Sequence, residues 1–275
     1  MSYIIDKEKL LPLLTSNDIR FCDCRFRLGV PEAGRSEYDQ DHIPGAVYFD
    51  LEKDLSGPVQ IHGGRHPLPD LSTLKGKLEA YGITNDTALV AYDGGDGSYA
   101  SRFAWLLSYL GHRDVKVLDG GYADWKEAGY PIDNSLPEYP STDYRIELNE
   151  AVFASYEKVK GFTLNRPDDI VLVDSRESKR YQGIEEPIDK KAGHIPGAVN
   201  KLWTKVLVNG HFKKKEELQA NFSDISRDKE IIVYCGSGVT ASPNFIALKE
   251  AGFKHVKIYI GSFSDWISYE DNPVE

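Results

Sequence analysis

Short apolar runs alternate with amphipathic stretches along most of the chain. In the first half, Leu89 to Tyr92 and Lys116 to Leu118 read as strands. Between them, Ser101 to Leu110 repeats its apolar residues at helical spacing. The second half matches, with Ile231 to Tyr234, then Asn244 to Glu250, then Val256 to Tyr259. Strands that alternate with helices predict an α/β fold, a mostly parallel sheet flanked by helices. Near the N-terminus, Ile19 to Arg25 is also strand-like, and alternation puts Cys22 and Cys24 on one face.

The pattern occurs twice. DHIPGAV at 41–47 returns as GHIPGAV at 193–199. Asp23-Cys24-Arg25 precedes the first copy, and Asp174-Ser175-Arg176 the second. Each copy is followed by an apolar strand ending in tyrosine, a glycine-rich turn and an apolar helix. Each half closes on a strand, a glycine and an Asp-Trp pair, at Trp125 and Trp266. Matched landmarks in the same order imply a duplicated domain. The expected division is 1–135, a polar linker with two prolines at 136–147, and 148–275. His42, His194, Arg25 and Arg176 recur in both halves, which favours structural roles for all four.

The chain has 275 residues, 41% hydrophobic and 28% charged, with a net charge of -10. This is ordinary for a soluble globular protein. The acidic balance gives no footprint for nucleic acid. Any anionic substrate must be drawn in by local positive groups. The N-terminus shows no signal-peptide pattern, and no segment nears the roughly 18 apolar residues of a membrane span. Three cysteines are too few for a disulfide scaffold in a chain this long. A reduced, cytoplasmic protein is expected. Cys22 and Cys24 read as buried small residues, and no further metal ligands stand at suitable spacing.

Cys235 carries the candidate chemistry. It ends the buried run Ile231 to Tyr234 and opens the turn Gly236-Ser237-Gly238-Val239-Thr240-Ala241. Ser242 and Pro243 are expected as N-cap and first residue of a helix ending near Gly252. Ligand sites in open α/β sheets favour this edge. A helix N-terminus favours a thiolate. The two glycines let backbone N–H groups converge into an anion nest. Such a nest can hold a thiolate, or a persulfide one atom longer, with Ser237 and Thr240 as hydroxyl donors. An inert core cysteine needs none of this. The matching position in the first half is Asp93, so that half is expected to be catalytically silent.

The CGSGVTAS loop, the repeated HIPGAV, the DSRESKRYQG segment and the terminal Asp-Trp together resemble tandem rhodanese-type sulfurtransferases. The resemblance covers nearly the whole chain. It implies two rhodanese-like domains, with ping-pong sulfur transfer through a cysteine persulfide in the second. It implies no metal or organic cofactor. The partners implied are a small anionic sulfur donor and a thiol, cyanide or protein acceptor. Thiosulfate enzymes of the family usually follow the cysteine with Arg and Lys, and mercaptopyruvate enzymes with Gly and Ser or Thr. Gly236-Ser237 therefore resembles the mercaptopyruvate type, with thiosulfate as the alternative donor.

By the same resemblance Arg180 is the donor-carboxylate arginine, a role suited to a bidentate fork. Ser237 is implied to work with His66 and Asp50. Phe26 matches an apolar wall residue near the sulfur. Gly236, Gly238, Val239 and Thr240 complete the loop. The chain departs from the animal pattern at Ile188, where a second arginine would stand; Lys190 or Lys191 is the available substitute. A phosphatase would need an arginine where Ala241 stands. A non-enzymatic binding or regulatory module is the alternative of another class, and the retained Cys235 loop argues against it.

Overall fold

The structure is a computed structural model that describes residues 2–275. It divides into two compact units. The first takes Met1–Gly57, Pro69–Asn149 and Asn209–Phe212; the second takes Pro58–Leu68, Glu150–Val208 and Lys213–Glu275. This partition is more interwoven than the expected division into 1–135 and 148–275 by a linker at 136–147. Pro58–Leu68 belongs to the second unit because of specific bonds. Gly63 N–H donates to Asp265 Oδ1 at 2.7 Å, Arg65 N–H donates to Ser264 Oγ at 3.2 Å, and His62 stacks on Tyr269 at 3.9 Å. Asn209–Phe212 joins the first unit through Asp119, which accepts Phe212 N–H at 2.8 Å.

Each unit is built on one five-stranded parallel sheet. In the first, the order is Ile4–Ile5, Val115–Leu118, Ala88–Tyr92, Ile19–Asp23, Val47–Tyr48. In the second, it is Phe153–Ala154, Val256–Tyr259, Glu230–Tyr234, Ile170–Asp174, Val199–Asn200. The central strands are buried on both faces, as parallel strands covered by helices must be. Cys22 and Cys24 are accordingly buried, and their thiols are pushed well up by desolvation.

The repeated motifs do the same structural work in both units. In HIPGAV, the Ile–Ala turn closes with Ala46 N–H on Ile43 O at 2.9 Å and Ala198 N–H on Ile195 O at 3.1 Å. Pro then glycine at positive φ (Gly45, +75°; Gly197, +78°) is what a type II turn requires. The strand-ending tyrosines anchor these turns: Tyr92 Oη accepts Ile43 N–H at 3.3 Å, and Tyr234 Oη accepts Ile195 N–H at 3.1 Å. His42 stacks on Tyr38 and bonds its carbonyl through Nδ1 at 2.7 Å; His194 does the same with Tyr181. Arg25 pairs with buried Asp23, and Arg176 with buried Asp174, both at 2.6 Å. The closing tryptophans Trp125 and Trp266 donate to Pro131 O at 2.9 Å and Pro273 O at 2.8 Å.

Residues 136–147 form irregular chain along the first unit, without being wholly exposed. Tyr144 is fully buried and stacked on His112, and Thr142 Oγ1 donates to Ile83 O at 2.7 Å. Among the described residues, no helix is long and apolar enough to cross a membrane.

Candidate active site

The Cys235 loop lies where a strand meets a helix start. Glu230–Tyr234 delivers the cysteine, and Ala241–Ala251 begins directly after the turn. The helix starts two residues earlier than capping preferences suggest. Thr240 holds the N-cap position, and the Ser242 hydroxyl donates backward to Gly238 O at 3.3 Å, so it caps nothing. Gly252 ends this helix at φ +98°, as expected of a C-terminal glycine.

The two loop glycines serve different purposes. Gly238 has φ +79°, and a Cβ there would lie 2.3 Å from Ile260 O. Gly236 needs no unusual φ; it leaves space. A Cβ on Gly236 would lie 2.8 Å from Arg65 Nη2, 3.5 Å from Arg180 Nη2 and 3.7 Å from Arg180 Nη1. Cys235 is 1% exposed, and its sulfur accepts Gly238 N–H at 3.1 Å. From behind, Ser262 Oγ accepts Cys235 N–H at 3.1 Å and donates to Tyr259 O at 3.0 Å. Ser262 holds φ +56°, a left-handed conformation that costs a non-glycine residue on the order of 1 kcal/mol. Phe263 N–H and Ser264 N–H hold the carbonyls of Cys235 and Gly236, both at 3.0 Å.

The first unit shows what this kind of loop accommodates. Asp93 occupies the matching position, and its buried carboxylate accepts four backbone N–H groups. Gly95 and Gly97 donate to Oδ1 at 3.0 Å each; Tyr99 and Ala100 donate to Oδ2 at 3.0 and 3.1 Å. An aspartate oxygen stands two bonds from Cβ, as does the outer sulfur of a cysteine persulfide. Asp93 is therefore a built-in analogue of a persulfide anion in its loop.

Of the residues expected at the site, the second unit brings together Cys235, Ser237, His66 and Arg180, with Gly236, Gly238, Val239 and Thr240 in the loop. Ser237 Oγ and His66 Nδ1 lie 2.8 Å apart, and each residue is 8% exposed. Arg180, on the short helix Ser178–Tyr181, is gripped by two acids. Glu186 Oε1 accepts from its Nε at 3.1 Å and Nη2 at 2.8 Å, and Asp189 Oδ2 accepts from Nη2 at 2.8 Å. Asp50 and Phe26 belong to the first unit. The Asp50 carboxylate accepts Glu52 N–H at 2.8 Å, Lys53 N–H at 3.0 Å and the Tyr48 hydroxyl at 3.2 Å. The Phe26 ring meets Tyr99 edge-on at 5.4 Å.

Three further residues were not anticipated. Arg65 pairs with Asp189, and burial pulls its pKa down, opposed by the nearby Cys235 sulfur. Asp189 joins Arg65 to Arg180. Ser262 supports the cysteine amide. One of these had a sequence signal: IGSFSDW aligned on DGGYADW puts Ser262 opposite Gly121, whose φ is +59°. Arg65 and Asp189 border a cavity of about 590 Å³ that Lys190 and Lys191 also line. Among the described residues no group of three or more His, Cys, Asp or Glu side chains could hold a metal ion.

Two parallel sheets of one topology, each ending in a glycine-bounded loop with Cys235 in one and Asp93 in the other, define a class of tandem α/β fold. The rhodanese-like domain model matches residues 6–128 and 163–269. The chain belongs to the rhodanese-like family, in two tandem copies. It is 41% identical over 277 residues to a "Probable 3-mercaptopyruvate sulfurtransferase" of Pseudomonas aeruginosa, covering 98% of this chain and 97% of that protein. It is 35% identical to a thiosulfate sulfurtransferase of Rattus norvegicus, over 90% of this chain and 84% of that one. Among solved structures, SseA from Escherichia coli, described as a 3-mercaptopyruvate sulfotransferase, superposes with a TM-score of 0.84 at 30% identity, covering 96% of this chain and all of that one.

Proposed function

We propose that this chain is a sulfurtransferase that carries sulfane sulfur as a persulfide on Cys235, with 3-mercaptopyruvate as its donor. The observation that carries the reading is the Cys235 sulfur held by Gly238 N–H at 3.1 Å, in a loop whose counterpart holds the Asp93 carboxylate on four N–H groups. Persulfide chemistry needs such a cradle, because the outer sulfur is an anion that must stay accessible.

The Cys235 thiolate attacks the donor sulfur. The carbon–sulfur bond of mercaptopyruvate breaks, and its electron pair passes to carbon as the enolate of pyruvate. Ser237, bonded to His66, sits to polarise the donor carbonyl and return a proton. Arg180 orients the donor anion. A thiol, cyanide or protein acceptor then attacks the outer sulfur and releases the Cys235 thiolate. Asp50 and Phe26 enter as first-unit residues whose contribution substitution will test. Thiosulfate is the second donor to consider, releasing sulfite by the same intermediate. Three free cysteines accord with a reducing, cytoplasmic setting.

The test is intact mass after mixing with each donor alone. The wild type should gain one sulfur atom, mapped to Cys235, and Cys235→Ser should gain none while keeping its fold. Sulfur transfer at full rate by folded Cys235→Ser would sink the reading. Comparing kcat/KM for the two donors with one shared thiol acceptor then ranks them.

A further inference from the structure

Arg65 is assigned no step in the reaction above, yet its surroundings are specific. Its Nη1 pairs with Asp189. The second oxygen of Asp189 accepts Arg180 Nη2 at 2.8 Å, so one buried carboxylate bridges two guanidinium groups. Each arginine keeps an edge with no acceptor among the described residues: Nη2 of Arg65 and Nη1 of Arg180. Both edges lie against Gly236, at 2.8 and 3.7 Å from where its Cβ would stand. A side chain at 236 would displace Arg65. The glycine next to the cysteine and the arginine above it are therefore one device.

Charge alone does not explain the arrangement, because Glu186 and Asp189 balance much of it. Unused N–H edges do, since they give directional, charge-assisted hydrogen bonds to a planar anion. Ile188 leaves no arginine in that segment, and Lys191 Nζ is turned toward Glu270 O at 3.4 Å.

We propose that Arg65 is a second donor-binding residue: bridged to Arg180 by Asp189 and admitted by the bare Gly236, it completes a two-guanidinium clamp for the anionic end of the sulfur donor. The assignment rests on the sulfur-transfer reading for its substrate, and on geometry alone for its anion preference.

Two measurements on the full chain separate these. The first is the rate of Cys235 alkylation by iodoacetate against that by neutral iodoacetamide, which needs no turnover. Arg65→Gln should lower the iodoacetate-to-iodoacetamide ratio about 10-fold, the loss of one charge-assisted hydrogen bond. Arg65→Lys should retain part of the preference. Gly236→Ala, which pushes the guanidinium away, should lower the ratio in the same direction, and the two changes combined should be less than additive. This second variant carries the test if Arg65→Gln fails to fold. Lys190→Gln with Lys191→Gln should shift the ratio within about twofold, as screened charges do.

The second measurement is steady-state kinetics. Arg65→Gln should raise KM for 3-mercaptopyruvate about 10-fold or more, with a smaller change in kcat. An unchanged ratio and KM in folded Arg65→Gln would overturn the clamp, as would a loss carried by the two lysines instead. A ratio that depends on Arg65 in a protein that forms no persulfide would uphold the clamp and remove the sulfur-transfer reading.

Discussion

His66 Nδ1 and Ser237 Oγ lie 2.8 Å apart, and both residues are buried, Ser237 within the Cys235 loop. The pair can act on a ketone or its enolate, which mercaptopyruvate supplies and thiosulfate does not. Ser237→Ala and His66→Gln should therefore lower kcat/KM for mercaptopyruvate about 100-fold, the usual scale of general acid–base assistance. The same variants should keep thiosulfate kcat/KM within about threefold. Equal losses on both donors would show that the pair only holds the loop in shape.

Gly238 is the loop position least open to change. Its φ is +79°, and an added Cβ would lie 2.3 Å from Ile260 O, a backbone atom that cannot step aside cheaply. Gly238→Ala should cost about 2–4 kcal/mol and abolish persulfide loading, since its N–H also reaches the Cys235 sulfur. Denaturant unfolding and donor-alone mass measurement check the two halves. Wild-type stability in that variant would mean the loop relaxes freely.

Arg176 is 2% exposed and tied to Asp174, to Glu186 at 3.2 Å and to Gly193 O at 2.7 Å. Removing it leaves buried Asp174 without its cation, while Glu186 keeps Arg180. Arg176→Ala should destabilise by about 3–5 kcal/mol. Arg25→Ala should do the same through Asp23 in the first unit. Because Glu186 also grips Arg180, the Arg176 variant should weaken donor binding as well, whereas any Arg25 effect should be confined to stability. A midpoint shift in urea unfolding and the KM for the donor separate the two.

The repeat made the fold legible. Two copies of one motif series fix two parallel sheets, and the strand over 231–234 and the helix over 244–250 lie inside Glu230–Tyr234 and Ala241–Ala251. The Cys235 loop could be read from local chemistry, a strand end, two glycines and a helix start, whereas Arg180 and the partners of Ser237 came from the resemblance of their segments. Helix capping at Ser242 misled because the helix already begins at Ala241, which puts Ser242 inside it with its hydroxyl bonded back to Gly238 O. Arg65 could not be found this way. Its role depends on Asp189, 124 residues away, and on an absent side chain at 236. Spacing along a chain carries no record of such a meeting.

Asp93 sets a pH dependence that the first unit alone should display. Burial, and then the nearby Asp96, push its carboxyl up to about 6, against the pull of the N–H donors around it. A raised acid stabilises the fold while protonated. Between about pH 4 and about pH 6 the unfolded chain has released this proton and the folded chain keeps it, so this contribution is lost as pH rises through that window. Asparagine cannot titrate, so Asp93→Asn removes the slope whatever it does to absolute stability. The stability difference between wild type and variant should move in the variant's favour by up to about 3 kcal/mol from pH 4 to pH 7. Urea unfolding across that range measures it. A difference that stays flat with pH would mean that the four N–H groups keep Asp93 ionised throughout, and the loop would then be a stronger anion cradle than burial allows here.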